Sequence, residues 1–309
     1  MLPPATSGCC VEDFVPAYRP LAPQAPMPPV PEAYAATALA LSQFAVATTR
    51  CDLDIAYGPL PEHRLDIFLP GEDGTERPVY ISIHGGNWSH GYKEWLGFGA
   101  IPVVAAGAIY ISLEYRLTGV AKHPAQLEDC LTAVAWIRDN IARYGGDPDR
   151  LFIGGHSAGA HLAAMVTLRR DLYPRFGLPE KTISACFPYC GIMDLRHGDI
   201  YTINPAVGPG DNLLASQADA EDASPICWTE GNTTPFFVSW GERDSPIMLL
   251  QGAPFTLALK AAPGRVESKV LAGFDHFYAH LDQLRPESYF NRVLLAWMFG
   301  DPETTPLPA

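Results

Sequence analysis

The stretch FIGGHSAGAHLAA, from Phe152 to Ala164, places a serine at a tight turn between two regular elements. The apolar residues before Gly154 are typical of a buried strand, and the run after Gly159 is typical of a helix. Such a sharp turn forces Ser157 into unusual backbone angles, and only small neighbours leave room for it. The pattern therefore indicates a nucleophile at a strand-to-helix turn. A serine that merely caps the helix is the alternative.

Runs that suit strands and helices alternate along most of the chain. The strand-like runs are CDLDIAYG, HRLDIFLP, PVYISIHGG, AIYISLEYRL, DRLFIGGHS, TISACFPYCG, PFFVSWGE and VESKVL. The helical runs are PAQLEDCLTAVAWIRDNIARYG, AGAHLAAMVTLRR, PFTLALKAA and SYFNRVLLAWMFG. This alternation predicts an α/β fold with a mostly parallel central sheet and helices on both faces, preceded by an antiparallel hairpin.

Composition divides the chain into three parts. Residues 1–30 hold many of the 30 prolines, which excludes regular helix or central strand and predicts a tail or strap on the body. Residues 31–50 are rich in alanine and predict one docked helix, and residues 51–309 are expected to form a single α/β domain. Within that domain, the irregular region 197–228 is too long for a simple connection, so we expect a binding loop or small cap there.

A serine hydroxyl becomes a good nucleophile only when a base removes its proton and a carboxylate holds that base. We expect His276 to be the base, since it lies in a loop after the strand VESKVL, and His280 is its rival. We expect Asp244 to be the carboxylate, since it follows the strand PFFVSW, and Glu242 is the alternative. The chain order Ser157, Asp244, His276 is the one expected at a strand-to-helix nucleophile of this kind.

The negative charge that develops on a substrate carbonyl must be met by backbone N–H groups. One donor is expected to be Ala158, directly after the serine. The glycine-rich turn HGGNW, residues 84–88, ends an apolar strand upstream and predicts the other donors. A merely flexible turn is the alternative interpretation of that run.

Taken together, these motifs resemble the α/β-hydrolase superfamily across nearly all of residues 50–300. Within it, the chain resembles kynurenine formamidase (arylformamidase)-like and carboxylesterase-like serine hydrolases. The likeness rests on DIAYG, RLDIFLP, HGGNW, GHSAGAHLAAM, GIMDLR, GERDSP and DHF. It implies an α/β-hydrolase fold with a small cap or lid, the catalytic triad Ser157, Asp244 and His276, and an oxyanion hole formed by the N–H groups of Gly86, Asn87 and Ala158.

Substrate contacts are expected near the same turn. The candidates in the turn itself are His84, Gly85, which shapes it, and Trp88. Tyr92, Trp95 and the 197–228 region are further candidates for the wall of an aromatic-friendly pocket, although core packing explains such residues equally well.

The composition also excludes some partners. The formal net charge is −13 at pH 7, and an acidic surface repels nucleic acid and anionic lipid. We expect no signal peptide and no transmembrane segment. Seven scattered cysteines, without a second pair to complete a zinc site, suit free thiols in a cytoplasmic protein. We expect a small-molecule substrate, no cofactor and no metal, and a homodimer is left open.

The function expected from these residues is hydrolysis of a small ester or an activated amide, such as an aryl formamide or carbamate, through an acyl-enzyme. A general carboxylesterase and an acyltransferase or lyase on the same scaffold are the alternatives, because water access depends on the cap. A non-catalytic binding protein is the third alternative, disfavoured because every part of the site is present.

Overall fold

Eight strands form one sheet in the part of the chain that the computed structural model describes, residues 17–196 and 213–308. They are β1 (Arg50–Ala56), β2 (Arg64–Leu69), β3 (Arg77–Ile83), β4 (Ile109–Leu113), β5 (Gly146–His156), β6 (Ile183–Tyr189), β7 (Phe236–Gly241) and β8 (Val266–Leu271). Their spatial order is β1-β2-β4-β3-β5-β6-β7-β8. The β1–β2 and β2–β4 pairs are antiparallel and all other pairs are parallel.

Helices precede, separate and follow these strands along the chain. They are α1 (Pro29–Thr48), α2 (Ala100–Ala105), α3 (Ala125–Asn140), α4 (Ala158–Leu168), α5 (Pro246–Lys260), α6 (Tyr278–Leu281) and α7 (Tyr289–Phe299). No helix in residues 17–196 and 213–308 is both long and apolar enough to cross a bilayer.

Successive strand residues point to opposite faces of the sheet, and an apolar cluster covers each face. On β3, Tyr80 belongs to one apolar cluster and Ile81 to another. Helices α3 and α4 pack in the cluster of Ile81 through Leu127 and Leu162, whereas α7 packs in that of Tyr80 through Trp297. The sheet is therefore covered by helices on both faces, as predicted from the alternation of elements.

Some boundaries differ from the prediction. Helix α5 begins at Pro246 instead of Pro254, directly after the loop that holds Asp244. Proline suits the first turn of a helix because it has no N–H group to leave unpaired. The run around Pro102 forms the short helix α2.

The predicted cap falls partly outside the described residues, which omit 197–212. Its second half, residues 213–228, contains two short 3-10 turns. This half is tied to the body by the hydrogen bond from the His123 N–H to the Leu213 carbonyl, and by His161 Nε2, which lies 2.7 Å from the Ala223 carbonyl oxygen. The five described cysteines are all free.

Candidate active site

Ser157 stands between the last residue of β5 and the first residue of α4, with φ 56° and ψ −117°. This left-handed φ is strained for a residue with a side chain. The neighbours make the turn possible, since a side chain at Gly155 or Gly159 would collide with the backbone around them. The sequence prediction of a tight turn at this serine agrees with the geometry. Among the described residues, no partner hydrogen-bonds to Ser157 Oγ, and catalytic hydrogen bonds often form only once substrate is bound.

The loops after β7 and β8 bring Asp244 and His276 together. His276 Nδ1 lies 2.8 Å from Asp244 Oδ1, and the Ser245 N–H donates to the same oxygen at 2.7 Å. Burial pushes the pKa of the Asp244 carboxyl up, but the hydrogen bond and charge of His276 outweigh burial and hold that pKa below its usual value. Asp244 is therefore an ionised partner that fixes the ring of His276.

The alternative carboxylate, Glu242, has a different role. Its side chain is exposed, and its Oε2 accepts a hydrogen bond from the Gly273 N–H at 2.8 Å. This contact joins the β7 loop to the β8 loop and leaves Asp244 as the carboxylate beside His276.

His156, the residue before the serine, connects the base to the nucleophile turn. Its Nε2 lies 2.8 Å from the His276 carbonyl oxygen, and the two ring centroids are 4.5 Å apart. A carbonyl only accepts, so His156 donates from Nε2. The loop of His276 is thus held against the residue adjacent to Ser157.

The rival base, His280, lies behind these rings and has almost no exposed surface. It stacks on His156 with ring centroids 4.9 Å apart, and its Nδ1 lies 2.6 Å from the Tyr34 hydroxyl on α1. Burial lowers the pKa of His280 to about 3 and also holds the pKa of His156 well below its usual value. Both rings are neutral neighbours of His276.

The turn at residues 84–91 faces the tight turn that holds Ser157. Gly86 has φ +114°, and the next residues Asn87 and Trp88 also have positive φ, at 53° and 59°. A side-chain carbon at Gly85 would lie 3.1 Å from the Ser157 side chain, so the turn touches the serine. Among the described residues, nothing accepts a hydrogen bond from the N–H groups of the three predicted donors, Gly86, Asn87 and Ala158.

Two predicted substrate contacts are buried under this turn. His84 has no exposed surface, and its ring nitrogens lie 2.8 Å from the Gly85 carbonyl and 2.9 Å from Glu114 Oε1. Its ring also stacks on Tyr115. His84 therefore holds the turn instead of contacting a substrate. Gly85 is buried against the tight turn at Ser157. Sequence reasoning missed Glu114, because nothing local marks a carboxylate directly after the next strand as the partner of His84.

The predicted aromatic wall divides into two groups. Trp88 is 4% exposed and packs edge-on against His161, on the helix that follows the serine. Trp95 is 5% exposed and packs against Tyr34 and Tyr92. Trp95 is therefore part of the packing of α1, whereas Trp88 lies close to the tight turn at Ser157.

Within residues 17–196 and 213–308, one cluster contains three side chains of types that can bind a metal ion. His156, Cys190 and His276 each place a ligand atom within 4.8 Å of the others. His276 Nδ1 is already bonded to Asp244, and His156 Nε2 to a carbonyl. Burial raises the pKa of the Cys190 thiol, and the Asp244 carboxylate raises it further. The thiol is therefore protonated and packs beside the Asp244–His276 pair.

Comparison with known proteins identifies the family. Residues 65–259, from β2 to the end of α5, match the BD-FAE family. The chain belongs to the BD-FAE family. The match includes the turn at 84–91, Ser157 and Asp244, and ends before His276.

Curated relatives of this BD-FAE family member carry two kinds of name. Esterase LipQ of Mycobacterium tuberculosis is 34% identical over 223 residues, which cover 68% of this chain and 52% of LipQ. Kynurenine formamidase of Danio rerio is 27% identical over 259 residues, covering 84% of this chain and 85% of that protein. The chain thus spans about half the length of LipQ and most of the formamidase.

Solved structures establish the fold of this BD-FAE family member. Carboxylesterase EstE1, from a metagenomic library, superimposes with a TM-score of 0.67 at 22% identity, over 87% of this chain and 94% of EstE1. The Pyrobaculum calidifontis esterase gives 0.68 at 22% identity, over 91% and 93%. The fold is that of the α/β-hydrolases, as the sequence motifs predicted.

Proposed function

We propose that the chain is a serine hydrolase that cleaves a small carboxylic ester or an activated amide, such as an aryl formamide or carbamate. The observation that carries the proposal is the 2.8 Å contact of His276 Nδ1 with Asp244, in a loop held against the residue before Ser157. An imidazole oriented in this way leaves Nε2 free to remove the proton of a serine hydroxyl.

In the proposed reaction, Ser157 Oγ attacks the substrate carbonyl while His276 takes its proton. Asp244 keeps the ring in the correct tautomer and stabilises its positive charge. The N–H groups of Gly86, Asn87 and Ala158 then donate to the oxyanion. His276 returns the proton to the leaving group, and water repeats the sequence on the acyl-enzyme.

The relatives support acyl hydrolysis, since they are named esterases and kynurenine formamidases. Esters and formamides are therefore the two substrate classes to compare, and an experiment must decide between them.

A fluorophosphonate probe and a substrate panel test the proposal. The panel sets p-nitrophenyl esters of different acyl length against N-formylkynurenine and an aryl carbamate. We expect wild type to be labelled and active, Ser157→Ala to be neither, and the matched control Ser184→Ala, on β6 away from the site, to behave as wild type. Labelling or turnover that survives in Ser157→Ala contradicts the assignment. A wild-type protein that is neither labelled nor active contradicts the function itself.

A further inference from the structure

The proline-rich segment before α1 has a regular pattern of burial. In residues 17–28, which we name the strap, every third side chain is half-buried and all others are exposed. A period of three is that of a polyproline II helix laid against a surface. The half-buried row consists of Tyr18, Leu21, Gln24 and Met27. Gln24 is the only amide side chain in this row, and its hydrogen bonds show which part of the protein the strap contacts.

Gln24 binds the backbone of Gly91, at the end of the 84–91 turn. Its Nε2 donates to the Gly91 carbonyl at 2.8 Å, and its Oε1 accepts from the Gly91 N–H at 2.9 Å. The flanking residues also reach the strap: His90 Nε2 lies 3.2 Å from the Ala25 carbonyl, and the Tyr92 hydroxyl donates to a strap carbonyl. The side-chain amide of Gln24 thus bonds to both the N–H and the carbonyl of Gly91, as the backbone of a neighbouring strand would.

Gly91 in turn touches the base of the turn. It has φ +113°, and a side chain there would collide with the His84 ring and the Gly85 carbonyl oxygen. The turn closes next to it, where the His90 N–H donates to the Gly86 carbonyl at 2.9 Å. A displacement of Gly91 therefore moves the backbone that carries the Gly86 N–H.

We propose that Gln24 is a positioning residue of the oxyanion turn, which acts through Gly91 to hold the Gly86 and Asn87 N–H groups at the carbonyl of the substrate. This inference rests on the proposed function. A rigid turn matters because an oxyanion donor contributes only when it is already aimed at the place where charge develops.

The strap has other anchors, so Gln24 is not needed to keep it in place. Met27 packs against the cluster of Tyr34 and Trp95, and the Tyr18 ring lies 5.7 Å from the Lys93 ammonium. Loss of the Gln24 amide therefore loosens the turn without releasing the strap.

The test compares Gln24→Ala and the isosteric Gln24→Glu with Leu21→Ala, a matched variant of the same half-buried row. In Gln24→Glu, a carboxylate oxygen replaces the Nε2 donor and faces the Gly91 carbonyl, so the pair is broken without loss of volume. We expect both Gln24 variants to lower kcat about 5- to 30-fold with KM changed less than about 2-fold, since small misplacements of catalytic groups cost up to about 100-fold. Leu21→Ala should keep its kcat.

Two further readouts separate positioning from simple stability. A trifluoromethyl ketone, which forms an oxyanion adduct, should bind the Gln24 variants more weakly by the same factor as kcat/KM falls. Amide hydrogen exchange of residues 84–92 should accelerate in these variants and stay at the wild-type rate in Leu21→Ala.

Two results overturn the inference: wild-type kcat in both Gln24 variants of an active enzyme, or an equal kcat loss in Leu21→Ala. An inactive and unlabelled wild type instead refutes the proposed function. In that case the exchange of residues 84–92 still decides whether Gln24 holds the turn.

Discussion

Acidification from pH 7 to pH 5 should destabilise the protein strongly, because three histidines are buried as neutral rings. Burial lowers the pKa of His161 and of His280 to about 3, and it holds the pKa of His156 well below its usual 6.5, assisted by the charge of His276. In the unfolded chain each ring takes up a proton near pH 6.5. For His161 and His280 the unfolded state therefore binds more protons between pH 6.5 and 3, and the free energy of unfolding decreases as the pH is lowered.

The size of the effect follows from these values. A ring that stays neutral in the folded state and titrates at 6.5 when unfolded costs about 2 kcal/mol of stability between pH 7 and pH 5. His161 and His280 together cost about 4 kcal/mol, and His156 adds to this loss in the same sense. Asp66 acts in the opposite sense, because burial raises its pKa to about 6 despite the charge of Lys93, and proton uptake by the folded state returns about 1 kcal/mol. The net loss of about 3 kcal/mol, to which His156 adds, is a large part of the stability of a typical domain.

The assay is urea unfolding at pH 7, 6 and 5, and the result is the slope of the unfolding free energy with pH. His280→Phe keeps an aromatic ring against Tyr34 but removes one titrating group, so its pH 7 to pH 5 loss should be about 2 kcal/mol smaller than that of wild type. Tyr34→Phe removes the hydroxyl partner of His280 without removing a histidine, and its slope should match wild type. A wild-type stability that changes by less than 1 kcal/mol from pH 7 to pH 5, or equal slopes in wild type and His280→Phe, would refute the reasoning.

Further predictions concern the site. Asp244→Asn should lower kcat by about 10³- to 10⁴-fold, because the neutral amide favours the wrong His276 tautomer, whereas Glu242→Gln should stay within about 2-fold; steady-state kinetics decides, and equal losses would contradict the assignment. Gly86→Ala should lower kcat by about 100-fold, because φ +114° and contact with the His90 carbonyl force the turn to move; wild-type kcat in that variant would remove the turn from the mechanism.

The sequence predicted the order of strands and helices because each element has a local pattern. The nucleophile turn was predictable because its glycines are required by backbone collisions that any tight strand-to-helix turn creates. The pairing of Asp244 with His276 was predictable for a related reason, since both follow parallel strands whose carboxyl ends meet at one edge of the sheet.

What the sequence did not predict are the supports that come from distant parts of the chain. Glu114 meets His84 across 30 residues, Tyr34 meets His280 across 246, and Gln24 meets Gly91 across 67. Each contact uses an ordinary polar side chain, and no local spacing marks its partner. The contacts of Tyr34 and Gln24 depend on the packing of α1 and the strap, which a proline-rich composition cannot specify.

Burial of the histidine rings serves the proposed chemistry and limits stability by the same physics. His276 must become positively charged when it takes the serine proton, and a charged His156 ring 4.5 Å away would oppose that step. Burial keeps His156 and His280 neutral at neutral pH, so neither of these rings opposes the charge on His276, and Asp244 stabilises that charge. Because these rings stay neutral in the folded state, only the unfolded chain takes up their protons at low pH. The burial that favours a charged His276 therefore also makes the fold sensitive to acid.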